Sequence, residues 1–493
     1  MPMGARRLLA PALLLVVVAG VTLGLVTGLV GSLTSAGLEA IGLRRSTAAS
    51  TLSPGALDPS AIATASSTPI GTPSAPSTQP LAIALPAPVL AEVTDPPAPR
   101  AGTVAAKVRA VKVAGSGGYS GAVLDVGSGR TVFANDAGRA FIPASTMKLL
   151  TGATALSVLG PERRFTTEVV SAQPGQVVLV GGGDPYLEAQ PSAKDKPARA
   201  SLATLARRTA APLKEAGVRR VSLGYDTSLF RGPSWNPTWP DRYADQVSPV
   251  SALWVNEGRV APRGGGVGPR HRDPARTAAS AFAAALKKQG IEVGAVRPAR
   301  APAAAEVVAS VSSMPVERMV EHVLMTSDND GAEVLLRQAA IGAGRRGTFV
   351  DGVATVQAEL DQLGAWHAGT RLHDGSGLSR ENRVPATTLV EVLQAAGEPD
   401  HPELRAVLTG LPVAGVEGSL AGRFGEDASL AGRGVVRGKT GTLRKVHALA
   451  GTVRTRDGSL LAYAFVVNNP KNEYNATIWL QRVTSALSTC GCR

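Results

Sequence analysis

From Ser46 to about Gly102 the chain is built mainly from Pro, Ala, Ser and Thr. Ser53-Pro54, Thr68-Pro69, Thr72-Pro73 and Asp95-Pro96-Pro97 recur there without any hydrophobic period. Such a stretch cannot bury enough apolar surface to offset its conformational entropy, so it reads as an extended, poorly ordered linker. Folding is confined to the residues beyond it, and order is expected to begin near Thr103. Ahead of the linker, Arg6 and Arg7 precede an apolar run from Leu8 to Val30. At about 1.5 Å per residue this run can cross a hydrocarbon core of roughly 30 Å as a helix. The two arginines predict a cytoplasmic N-terminus. The run exceeds a usual secretory h-region of about 7–15 residues, which favours an uncleaved anchor. The small residues Thr34-Ser35-Ala36 leave a cleaved signal open. Either reading puts the remainder outside the cytoplasm, in the cell envelope.

The chain has 493 residues, room for two to four domains at about 100–200 residues each. Hydrophobic residues make up 44% and aromatics only 4%, so the core must lean on Ala, Val and Leu. The formal charge of +13 favours anionic partners in general and names none. No basic run is interleaved with aromatics, which argues against nucleic-acid binding. The six histidines are scattered without metal spacing, so neither a metal nor a cofactor is expected. His271-Arg272-Asp273 copies a kinase fragment without its companion motifs, and Arg263–Gly268 lacks the strand and helix of a dinucleotide site. Both read as loops. Cys490 and Cys492 have no other cysteine to pair with. A Cys-x-Cys bridge, free thiols and intermolecular links all remain open.

Gly121–Val126, a Gly127-Ser128-Gly129 turn and Arg130–Phe133 predict a β-hairpin. Pro143 and Gly160 bracket a helical pattern. Strand-like runs at Gln176–Val180 and Arg220–Leu223 alternate with loops, and a helical stretch covers Pro315–Arg337. Strands at Val446–Arg454 and Ser459–Asn468 precede a helix over Tyr474–Leu487. Strands from both ends of the folded region, with helices between, predict an α+β fold: an antiparallel sheet flanked by helices. The expected division is an anchor or signal at 1–31, the linker at 32–103, one domain from 104–164 with 303–493, and a mostly β insert at 165–302.

Three short motifs carry chemistry. Ser145 and Lys148 are three apart and share a helix face, so the amine can reach the hydroxyl. A serine hydroxyl needs a base, and a lysine serves if burial or a neighbouring cation keeps it neutral. Ser327-Asp328-Asn329 offers a hydroxyl to relay a proton and an amide to hold a carbonyl or the lysine. Taken alone, it would read as a cap or turn. Lys439-Thr440-Gly441-Thr442 leads into a strand. Its lysine and hydroxyls suit a carboxylate, and its glycine admits a close backbone. The backbone N–H groups of Ser145 and Thr442 suit a developing oxyanion.

The order Ser-x-x-Lys, Ser-x-Asn, Lys-Thr-Gly is shared by penicillin-binding proteins and serine β-lactamases. The chain resembles the D-alanyl-D-alanine carboxypeptidase/endopeptidase family of low-molecular-mass class C penicillin-binding proteins. The resemblance extends to Pro143–Thr151, Gly181-Gly182-Gly183-Asp184-Pro185, Pro249–Leu253, Asp374–Ser379 and Leu411–Val416. The 182 positions from Ser145 to Ser327 are too many for a compact β-lactamase and suit this family. The resemblance implies a penicillin-binding transpeptidase-like domain that acts on peptidoglycan stem peptides through an acyl-enzyme and is inhibited by β-lactams. It implies catalytic roles for Ser145, Lys148, Ser327 and Asn329, and substrate-binding roles for Lys439, Thr440, Gly441 and Thr442. Two rivals stay open: a serine β-lactamase, although no Glu-rich deacylation segment is evident near Leu363–His367, and a non-catalytic wall-binding protein of the same fold.

Overall fold

The computed structural model describes residues 98–112, 118–192, 197–261 and 267–492. The apolar run Leu8–Val30 and the linker up to residue 97 lie outside the described residues. Among those described, no helix is long and apolar enough to cross a membrane.

The elements, in chain order, are α1 (Ala101–Ala110), β1 (Tyr119–Asp125), β2 (Thr131–Asn135), β3 (Ala140–Phe141), α2 (Met147–Leu159), β4 (Thr166–Gln173) and β5 (Gln176–Val180). Then come α3 (Leu202–Glu215), β6 (Arg220–Asp226), α4 (Pro274–Lys288), β7 (Glu292–Pro298), β8 (Glu306–Ser312), α5 (Val316–Thr326) and α6 (Asn329–Gly342). Last are α7 (Phe349–Gln362), β9 (Val384–Pro385), α8 (Ala386–Ala395), α9 (Arg405–Thr409), β10 (Arg437–Leu443), β11 (Val446–Arg454), β12 (Leu460–Asn468) and α10 (Glu473–Ser488).

The main sheet runs β10-β11-β12-β1-β2 and is antiparallel throughout, joining strands from both ends of the folded region as expected. Period-2 alternation sorts its two faces. On β12, Leu461, Tyr463, Phe465 and Val467 point to one side, where α1 and α10 bring Val104, Val108, Trp479 and Val483. Ala462, Ala464 and Val466 point to the other, joined by Ala448 and Ala450 of β11. That small-residue face lets helices approach closely. Against it lie α8 and the bundle of α2, α5, α6 and α7. Helix α2 is buried over ten consecutive residues, Met147 to Leu156, as an apolar helix at the centre of a domain must be. Truncating Leu149 there would cost about 2–5 kcal/mol.

The insert has its own sheet, β7-β6-β5-β4-β8, and its own core. It carries more helix than its strand-like runs suggest. The pairs β5–β6 and β6–β7 are parallel, so each needs a crossover, and α3 and α4 lie in them. Their apolar spacing (Leu202, Leu205, Ala206; Ala278, Phe282, Leu286) seats both helices on the sheet. The sheet's last strand, β8, lies beyond residue 302. Insert and main sheet belong to one unit, Ala87–Arg493.

The helical stretch at Pro315–Arg337 is broken. Ser327 takes a left-handed φ of 61° and ends α5, while the Asp328 carboxylate caps α6 by accepting from the N–H groups of Asp330 and Gly331. The two terminal cysteines are bonded to each other and buried, next to a bond from Arg100 N–H to the Cys492 carbonyl.

Candidate active site

The turn that carries Ser145 is held from three sides. Ser145 sits in a single 3-10 turn, Ala144–Thr146, that runs straight into α2. Asn468, at the end of β12, pairs with both backbone groups of Ile142 just ahead of it. Strand β10 presses on the turn at Gly441, where a Cβ would stand 2.7 Å from the Pro143 carbonyl oxygen. Only glycine admits that approach.

Lys148 is fully buried in the first turn of α2. Its Nζ donates to Ser145 Oγ at 3.0 Å, to Asn329 Oδ1 at 2.7 Å and to the Ser376 carbonyl at 2.7 Å. Burial pulls the amine down to about 8, and the carboxylates of Asp328, Glu333, Asp374 and Asp330 limit the fall. Lys439, on β10, is also fully buried; burial and then Lys148 hold it well below its ordinary value. Its Nζ donates to Ser327 Oγ at 2.8 Å and to the Thr440 carbonyl at 2.9 Å. Thr440 Oγ1 donates to Ser419 Oγ at 3.0 Å. Thus Ser145, Lys148 and Asn329 form one bonded group and Ser327, Lys439 and Thr440 a second. Both face a cavity of about 1470 Å³ that Ser145, Ser327, Asn329, Thr440 and Thr442 line. Gly441 lies in the strand beneath it.

Several contributors lie outside the three motifs: Ser376 and Asp374 fall in the Asp374–Ser379 segment that carried the resemblance, while Glu333 and Gln246 carried no signal of their own. The Ser376 carbonyl that holds Lys148 is set by Glu333, a fully buried acid that accepts from the N–H groups of Gly375 and Ser376. Burial, then Asp374, raises Glu333 to about 8. Asp374 in turn accepts from Gly377 N–H, Asn382 Nδ2 and Trp239 Nε1. Asn329 Nδ2 donates to the Gln246 carbonyl of the insert at 3.0 Å. The insert also sends Tyr186, Arg199 and Arg242 to the cavity.

A serine and a buried lysine of lowered basicity at hydrogen-bond distance, in a turn and helix packed behind an antiparallel sheet, define a serine peptidase of the penicillin-binding kind. A family model described as the D-Ala-D-Ala carboxypeptidase 3 (S13) family matches residues 105–266 and 264–486. A carboxypeptidase of Mycobacterium tuberculosis is 35% identical over 76% of this chain and 81% of its own length. The carboxypeptidase DacB of Mycolicibacterium smegmatis is 34% identical over 85% of this chain and 90% of its own. Among solved structures, penicillin binding protein 4 (dacB) from Haemophilus influenzae shares the fold, with a TM-score of 0.65 at 20% identity, covering 78% of this chain and 99% of that one. The chain belongs to the D-Ala-D-Ala carboxypeptidase 3 (S13) family.

Proposed function

We propose that this chain is a serine D-alanyl-D-alanine carboxypeptidase and endopeptidase that acts on peptidoglycan stem peptides through an acyl-enzyme on Ser145. The observation that carries the reading is the 3.0 Å contact between Lys148 Nζ and Ser145 Oγ, with the amine pulled to about 8 by burial. Lys148 takes the hydroxyl proton as Ser145 attacks the carbonyl of the penultimate D-alanine. The N–H groups of Ser145 and Thr442 hold the oxyanion. Ser327, bonded to Lys439, passes a proton to the leaving amine. Asn329 orients substrate and Lys148. Lys439 and Thr440 sit where the terminal carboxylate binds, and water then releases the acyl group. A β-lactam offers the same carbonyl and leaves a slowly hydrolysed ester, so β-lactams inhibit.

The apolar run after Arg6-Arg7 supports an extracytoplasmic place for the enzyme, anchored at 1–31 or released by cleavage, with the stretch from 32 as its tether to the membrane; against the expected limit of 103, the tether ends before α1, which begins at Ala101. N-terminal sequencing of the mature protein separates the two.

The function is tested by incubating the purified protein with a peptide ending in D-Ala-D-Ala. Release of D-alanine, lost in Ser145→Ala, is the expected result. Fast, sustained nitrocefin turnover without D-alanine release would instead make it a β-lactamase.

A further inference from the structure

Asn329 is useful to Lys148 only one way round. Its Oδ1 accepts from the lysine at 2.7 Å. A flipped amide would present two N–H donors to a donor. What decides the orientation is the Gln246 carbonyl, which can accept only from Nδ2 and does so at 3.0 Å. Gln246 lies in the insert, on the segment between β6 and α4. Two residues on, Ser248 N–H donates to Asp330 Oδ1 at 2.7 Å.

Asp330 follows Asn329 on α6 and is fully buried. Its second oxygen meets Arg270 Nη2 at 2.9 Å and lies 3.6 Å from Arg259 Nη2. Both arginines belong to the same insert segment, and Glu257 holds Arg259 in turn at 2.6 Å. A buried ion cluster is a weak stabiliser, because desolvation offsets much of its attraction. It does fix geometry, since removing one partner leaves an uncompensated buried charge.

We propose that Asp330, Arg270 and Arg259 are positioning residues for acylation: their clasp holds the Gln246–Ser248 segment of the insert against the start of α6, and the Gln246 carbonyl then turns the Asn329 amide so that Oδ1 faces Lys148. The insert is in this sense part of the catalytic centre rather than an appended module. The proposal rests on the acyl-transfer reading of Ser145.

The test measures the second-order rate of acylation by a fluorescent penicillin, with thermal unfolding in parallel, on the full chain. Arg270→Gln is expected to slow acylation by about 10- to 100-fold, the usual scale for a displaced reacting group. Arg270→Lys, which keeps the charge, recovers most of that rate. In an Asn329→Ala background Arg270→Gln should cost less than about twofold, because the amide it orients is gone. An Arg270→Gln variant that acylates at the parental rate overturns the proposal. So does a penalty that persists undiminished beside Asn329→Ala, since that is what a general loosening of the fold produces. If Arg270→Gln does not fold, Arg259→Gln, at the longer contact, is put through the same cycle. Labelling that survives in Ser145→Ala overturns the acyl-transfer reading itself, and is seen independently of Arg270.

Discussion

Gly377 lies under the carbonyl of Ala144: a Cβ at 377 would stand 1.9 Å from that oxygen. Both residues have positive φ, 85° at Gly377 and 48° at Ala144. The loop Asp374–Ser379 is therefore the floor of the turn that carries Ser145, and the strain at Ala144 persists because its surroundings overdetermine it. Gly377→Ala should displace the turn and lower acylation by at least about 100-fold, the scale of a 1 Å misplacement. Penicillin labelling together with thermal unfolding checks it. A variant that labels at the parental rate would show that the turn is held from elsewhere.

The Lys148 shift sets a pH dependence. An ammonium cannot accept the Ser145 proton, so acylation needs the neutral amine. With the folded value near 8, the rate should climb as pH rises through about 8 and level off above it. An ordinary lysine would put the rise near 10.4. Stability carries the same sign. Between about 8 and 10.5 the unfolded chain holds the lysine proton and the folded one does not, so this group's contribution favours folding more as pH rises across that window. Acylation rates from pH 6 to 10 report the first effect. A flat profile across neutral pH would remove Lys148 as the base.

Asp328 is a structural hub. It caps α6 and takes the Tyr186 hydroxyl at 2.8 Å, tying the insert's first loop to the catalytic helices. Tyr186→Phe should reduce unfolding free energy by about 1 kcal/mol. Asp328→Ala should cost more, about 2 kcal/mol or above, because it also uncaps the helix. Urea unfolding of the two variants gives the order, and the reverse order would contradict it.

The sequence exposes features that depend on side-chain type and near spacing. The hairpin at Gly121–Phe133, the closing β11–β12–α10 run and the three triplets all fall in that class, and each triplet reaches one cavity. Contacts made by backbone or across long separations stay hidden. The carbonyls of Ser376 and Gln246, which fix Lys148 and Asn329, have no residue-type signature. The pairing of Arg270 with Asp330 spans 60 positions and looks like ordinary surface charge until the chain is folded. The break at Ser327 is obscured because Met319, Val320, Val323 and Leu324 continue in phase with the apolar spacing of α6. The parallel pairing in the insert is hidden for another reason: it joins residues far apart in the chain, Gln176 with Ser222 and Arg220 with Glu292, and no residue type within either run marks the direction of its partner.

Ser327 separates chemistry from conformation. It ends α5 at φ 61°, where a non-glycine residue pays roughly 1 kcal/mol or more, while its hydroxyl accepts from Lys439 at 2.8 Å. Ser327→Ala removes the hydroxyl and keeps the strain. Ser327→Gly removes the hydroxyl and relieves the strain, because glycine enters the left-handed region freely. Both variants should therefore acylate equally slowly, about 100-fold or more below the parent, on the scale of a lost proton-transfer group. They should differ in stability, with the glycine variant ahead by about 1 kcal/mol. If the residue mattered only as a helix break, the glycine variant would acylate at the parental rate, and the role of the hydroxyl in passing the proton would fall.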